Sequence, residues 1–172
     1  MTGWRLTTIV SCAGPGAARG ALDAAVELDL QYGGWRALAD VPPIYAERTR
    51  KTNSPRMAAR LNVQDSDGTL VVTLSTLYAA GRAGSSAAYV DEAIDRQRKP
   101  SLNICLPAGG RSQMPEAVAK EVRAWLREER IHILHVSGSN EDDEPGIQEA
   151  TRDVLVWIFE DEIDIAQRSV PL

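Results

Sequence analysis

The sequence predicts an α/β fold: one doubly wound domain whose mainly parallel sheet of about five strands is flanked by helices. Three observations lead there. Short apolar, β-rich runs alternate with segments of helical period along the whole chain. The runs are near-continuously apolar, as in strands buried on both faces. The first run also passes through a glycine-rich junction straight into a helical pattern. A length of 172 residues suits one domain with a sizeable core, here about residues 6–165.

In order, the strand patterns are LTTIVSC (6–12), a weaker run at LQYGGW (30–35), TLVVTLS (69–75), LNICLP (102–107) and IHILHVS (131–137). The helical patterns lie between and after them. Residues 17–28 set Ala21, Leu22, Ala25 and Val26 on one face, and residues 87–98 set Ala87, Val90 and Ile94 in register. Residues 115–130 open with proline, a favoured helix start, and repeat Val118, Val122, Trp125 and Leu126. Residues 146–163 carry Ile147, Ala150, Val154, Leu155 and Ile158. The run SNEDDEPG reads as an exposed loop.

Composition narrows the function classes. Hydrophobic residues at 44% and charged residues at 25% are ordinary for a globular chain. A net charge of -5 argues against a nucleic-acid partner, which needs excess Lys and Arg. The cluster Arg48, Arg50, Lys51, Arg56 and Arg60 reads either as a solvated mixed-charge segment or as a local anion patch. Cys12 and Cys105 each sit in an apolar run, a pattern of buried thiols in a reducing compartment. The opening MTGWRLTTIV has one positive charge and too short an apolar run for a secretory leader, and no stretch reaches a membrane span, so a cytoplasmic location is expected.

Chemistry is expected where strands end, because ligands of such sheets bind at the carboxyl edge where the strand order reverses. SCAGPG follows the first strand and precedes a helix, whose N-terminus attracts a phosphate or carboxylate. Ser11, Cys12, Ala13, Gly14 and Gly16 would form this cradle and Arg19 would reach the ligand's charge. The stretch has neither a dinucleotide fingerprint nor a P-loop lysine; a tight strand-to-helix turn is the alternative. Gly34 and Trp35 offer backbone approach and ring stacking, or a glycine turn with a buried ring. Asp65 and Asp67, in NVQDSDGT, could orient hydroxyls or build a turn before the next strand. Gly81, Gly84, Ser85 and Ser86 form the second candidate anion loop, with a plain capped helix as the alternative.

These pieces resemble the putative molybdenum carrier family, a Rossmann-like group akin to the lysine-decarboxylase-like or SLOG nucleotide-binding proteins. The matching stretches, from residue 9 to about 159, are SCAGPGAARGALDAA, YGGW, RLNVQDSDGTLVVT, AAGRAGSSAA, KPSLNICL and EPGIQEA. NVQDSDGTL is the most specific. The family's first motif runs G-G-Q-T-G-x-D, where this chain has Cys12 to Ala18; its glutamine is missing and its acidic position is Ala18. Ser11, Gly16 and Arg19 persist. The family's G-G-T loop has become AGSS. The chain thus resembles a divergent member.

The resemblance implies a small-molecule binding protein for a phosphorylated nucleotide-like or pterin ligand, of the molybdenum cofactor type, held at the glycine-rich loops. Two other classes stand beside it. One is a nucleotide-processing hydrolase, although Asp91 and Glu92 lie too far into their helix to act directly, His135 reads as core-facing or edge-capping rather than catalytic, and no nucleophile and base pair has local support. The other is a degenerate interaction module. The apolar pattern of residues 153–165 suits a homo-oligomer, dimer or tetramer, as well as a buried terminal helix. No metal site is expected, since no Cys, His and carboxylate cluster has ligand spacing.

Overall fold

The short strand β1 (Thr8–Val10) lies between β2 (Gln31–Arg36) and β6 (Ile133–Gly138), and every neighbouring pair in the sheet is parallel. The computed structural model describes residues 4–74, 85–107 and 110–168, with residues 85, 86, 110, 111 and 161–168 as backbone only. The other strands are β3 (Thr49–Lys51), β4 (Gly68–Thr73) and β5 (Ser101–Cys105), and the sheet order is β3-β2-β1-β6-β4-β5. The chain therefore winds outward from β1 to β3, crosses to β4 and β5, and sends its last strand back between β1 and β4. This reversal opens a crevice beyond the carboxyl ends of β1, β6 and β4.

Helices cover both faces. α1 (Ala17–Glu27), α5 (Glu116–Glu128) and α6 (Ile147–Arg168) join one core with Ile9, Leu70, Val72, Leu134 and Val136. α3 (Pro55–Gln64) and α4 (Ser85–Gln97) meet on the opposite face through Ala59, Val63, Val90 and Ile94. A single turn, α2 (Pro43–Ala46), precedes β3. β4 is buried along its whole length, which explains the continuous apolar run in its sequence. No helix of the described residues is long and apolar enough to cross a membrane.

The sequence reading missed β3, α2 and α3. α3 did carry a start signal: Ser54 accepts a hydrogen bond from the Met57 N–H, and Pro55 occupies the first turn. The basic cluster obscured it. That cluster is dispersed through the fold: the Arg48 guanidinium lies 5.4 Å from the Tyr32 ring centre, and Arg56 pairs with Glu92 on α4.

Asn62 fastens α3 to the sheet. Its Oδ1 accepts from the Trp35 N–H at 2.8 Å and its Nδ2 donates to the Trp35 carbonyl at 2.8 Å, so one side chain pairs with β2 as a further strand would. Asn62 is 1% exposed. Asn62→Ala should cost about 2–3 kcal/mol in urea unfolding, because both Trp35 backbone groups lose their partner; a loss below about 0.5 kcal/mol would contradict this role.

Candidate functional site

The loop after β1 is held by its own side chains. Ser11 Oγ donates to the Ala18 carbonyl at 2.8 Å and accepts from the Ala13 N–H at 3.1 Å. Ala13 adopts φ 58°, and its carbonyl accepts from Arg19 Nε at 3.2 Å. Ser11, Ala13 and Arg19 thus build the turn. At its end Gly16 has φ 122°, and a Cβ there would stand 2.4 Å from the Ser139 carbonyl. Only glycine fits that approach between two loops.

That approach also occupies the start of α1. The Ala17 N–H donates to the Ser139 carbonyl at 3.0 Å, and the Arg19 N–H donates to the Gly14 carbonyl at 3.1 Å. Two of the first three helical N–H groups, which an anion would need, are taken by the protein.

Beside this loop a cavity of about 530 Å³ opens at the carboxyl edge, in the crevice that the strand order creates. Cys12 and Gly14 of the predicted cradle line it. Ser11, Ala13, Gly16 and Arg19 do not line it. Its remaining walls come from α3 (Ala58, Ala59 and Asn62), from β6 (His135 and Ser137) and from the loop of residues 139–143. Leu38, 47% exposed, lies at its rim. Burial, partly opposed by the Gly14 and Cys12 N–H groups and by Arg19, pushes the Cys12 thiol above its ordinary range. It is a neutral wall group rather than a thiolate.

Charge in this lining is negative. Asp40, Glu141, Asp142 and Asp143 contribute to it, and among the described residues no Lys or Arg does. Glu141 is committed to the start of α6, accepting from the Gly146 N–H at 2.6 Å and the Gln148 N–H at 2.9 Å. Asp40 and Asp142 are exposed carboxylates at the mouth. Among the described residues no three His, Cys, Asp or Glu side chains gather in a metal-binding group.

The other predicted site residues lie apart from the cavity or outside the described set. Gly34 has φ 126° and lies against the Ser11 carbonyl, 2.3 Å from where its Cβ would be. Trp35 donates from Nε1 to Asp65 Oδ2 at 2.7 Å, and the Arg50 guanidinium covers its ring at 5.3 Å. Asp67 accepts from the His132 and Ile133 N–H groups at 2.9 and 2.8 Å. It stands at the amino ends of β4 and β6, the opposite edge from the cavity, because it precedes β4 in the chain. The expectation that this stretch shares the carboxyl edge is corrected by that placement. Ser85 and Ser86 open α4. Gly81 and Gly84 lie outside the described residues.

Sequence reasoning missed Asn62, His135, Ser137 and the loop of residues 139–143. The carboxyl-edge rule pointed to the residues after β6, but their acidity made them read as a solvated loop.

A model of the circularly permutated YpsA SLOG family matches residues 9–159. The chain belongs to this family. Among solved structures, a putative molybdenum carrier protein from Syntrophus aciditrophicus resembles it with a TM-score of 0.74 and 28% identity, covering 90% of this chain and 94% of that one. No curated protein matches it. For this SLOG-family chain the Rossmann-like expectation holds, with a sixth strand added to the sheet.

Two predictions concern stability. Gly14 has room for a Cβ, its nearest neighbours being Cys12 Sγ and Leu38 Cδ1 at 3.5 Å. Gly14→Ala should therefore lie within about 0.5 kcal/mol of the parent in urea unfolding, whereas Gly16→Ala should lose about 2 kcal/mol or more. Equal losses would contradict the placement.

The second prediction concerns His135, whose imidazole burial pushes from 6.5 down to about 3. Between these values the unfolded chain binds a proton that the folded chain refuses. The stability from the neutral ring is fully present above pH 6.5 and falls as pH drops toward 3. From pH 6.5 to 5 the parent should lose about 2 kcal/mol more than His135→Gln. Parallel pH profiles would contradict it.

Proposed function

We propose that this chain is a small-molecule binding protein that holds the heterocycle of a nucleotide-like or pterin ligand in the carboxyl-edge cavity. The observation that carries the reading is the cavity's place and lining. It lies at the reversal of strand order and combines apolar walls with a few polar groups, the usual make-up of a ligand site. SLOG-family membership and the neighbour named as a putative molybdenum carrier support the same class.

The lining favours the ring over a phosphate. Guanine and pterin rings carry N–H donors that carboxylates accept, which suits Asp40 and Asp142 at the mouth. A phosphate would meet like charge there. The described cradle also supplies few free N–H groups, since those of Ala17 and Arg19 are bonded internally. For a metal-carrying cofactor, the described lining fits the organic ring. Cys12, Gly14 and Ala18 would form one wall, and Asn62 and Ala59 the other.

Calorimetry and melting with pterin, guanosine and guanosine monophosphate test this. Pterin or guanosine at a hundred times its Kd should raise the melting temperature by roughly 5–10 °C. The monophosphate should bind more weakly than the nucleoside. Gly14→Leu, which places a side chain in the cavity, should abolish binding and leave the protein folded. No binding by any of the three, or tightest binding by the phosphate through basic residues, would contradict the reading.

A further inference from the structure

His135 lines the cavity and is only 2% exposed, so it forms part of the floor rather than the mouth. The parallel register sets it beside Thr69 of β4, and its Nδ1 lies 3.1 Å from Thr69 Oγ1. Thr69 is itself fully buried. Two arrangements of the proton are conceivable across that contact. If Nδ1–H donated to the hydroxyl, the hydroxyl's own proton would have no acceptor among the described residues, and burying it unpaired is unfavourable. If the hydroxyl donates to Nδ1, both groups are satisfied. The neutral ring then carries its proton on Nε2. No group among the described residues pairs with Nε2.

We propose that His135 is the recognition residue of the cavity, presenting a neutral Nε2–H donor to an acceptor atom, a lactam carbonyl oxygen, on an uncharged heterocycle. The inference rests on the binding reading above and names the ring atom that the floor selects. Burial keeps the imidazole uncharged, with a pKa of about 3, so it attracts no anion and reads an acceptor atom instead. Guanine and pterin both carry such a carbonyl next to a ring N–H, so one edge of the ring offers an acceptor to the floor donor and donors to the carboxylates. A ring without that carbonyl would leave the His135 N–H buried and unpaired, the kind of mismatch that binding sites reject most strongly.

The test uses the full chain with ¹⁵N-labelled histidine. Long-range ¹H–¹⁵N spectra should show His135 as one neutral Nε2–H tautomer, distinct from the exposed His132. Saturating guanosine or pterin should shift the His135 Nε2–H resonance and leave His132 unmoved. By calorimetry, 2-aminopurine riboside, which lacks the carbonyl, should bind about ten- to a hundred-fold more weakly than guanosine. His135→Leu should lose a similar factor for guanosine, while His135→Gln, which keeps a donor, should retain more affinity. Should either variant fail to fold, the parent's spectra and the riboside comparison decide alone. An Nδ1–H tautomer would overturn the proposal. So would guanosine or pterin binding by calorimetry with the Nε2–H resonance unmoved, which leaves the cavity reading standing. Failure of both to bind would overturn the two together.

Discussion

Two strand-to-helix loops meet at Gly16, and the site takes its form from that meeting. The return of the last strand between β1 and β4 brings the β6–α6 loop against the β1–α1 loop. The Ser139 carbonyl then lies on the Ala17 N–H, and the Glu141 N–H donates to the Pro15 carbonyl at 3.2 Å. A Cβ at residue 16 would collide with this arrangement. The same contacts put Ser139 and the acidic residues after it into the cavity wall. Strand order, glycine placement and the negative mouth are therefore one constraint seen at three levels.

The consequence for function is a change in what the glycine-rich stretch does. As a pattern it looks like a phosphate cradle, because a helix N-terminus after a strand offers donors and a dipole. In the folded chain its polar groups face inward: Ser11 to Ala18 and Ala13, Arg19 to Ala13, and the helix start to Ser139. What it offers outward is the smooth wall of Gly14 and the neutral thiol of Cys12. In the proposed reading, recognition passes to the floor and the mouth, where a buried histidine and exposed carboxylates line the cavity.

Much of the fold was legible because its signals are local. Buried parallel strands need apolar runs, and amphipathic helices need their period, so five of the six strands and the helices α1, α4, α5 and α6 show in the sequence. α3 was hidden because its exposed arginines masked a short apolar face and its Ser54-Pro55 start. The site was less legible because its members come from distant positions joined only by sheet order. Asp65 and Asp67 belong to the most specific motif, yet the fold uses them as braces, one for the Trp35 indole and one for the amino end of β6. His135 reads in sequence as core-facing or edge-capping, since its pairing with Thr69 depends on a strand register that spans the chain.

A crystal structure of the chain with bound guanosine monophosphate would show which group of the ligand the cavity holds. The expected complex has the guanine ring in the cavity, its carbonyl oxygen within hydrogen-bond distance of His135 Nε2, the Ala17 N–H still on the Ser139 carbonyl, and the phosphate outside. A phosphate seated on the α1 N-terminus, with the Ser139 carbonyl displaced, would contradict it.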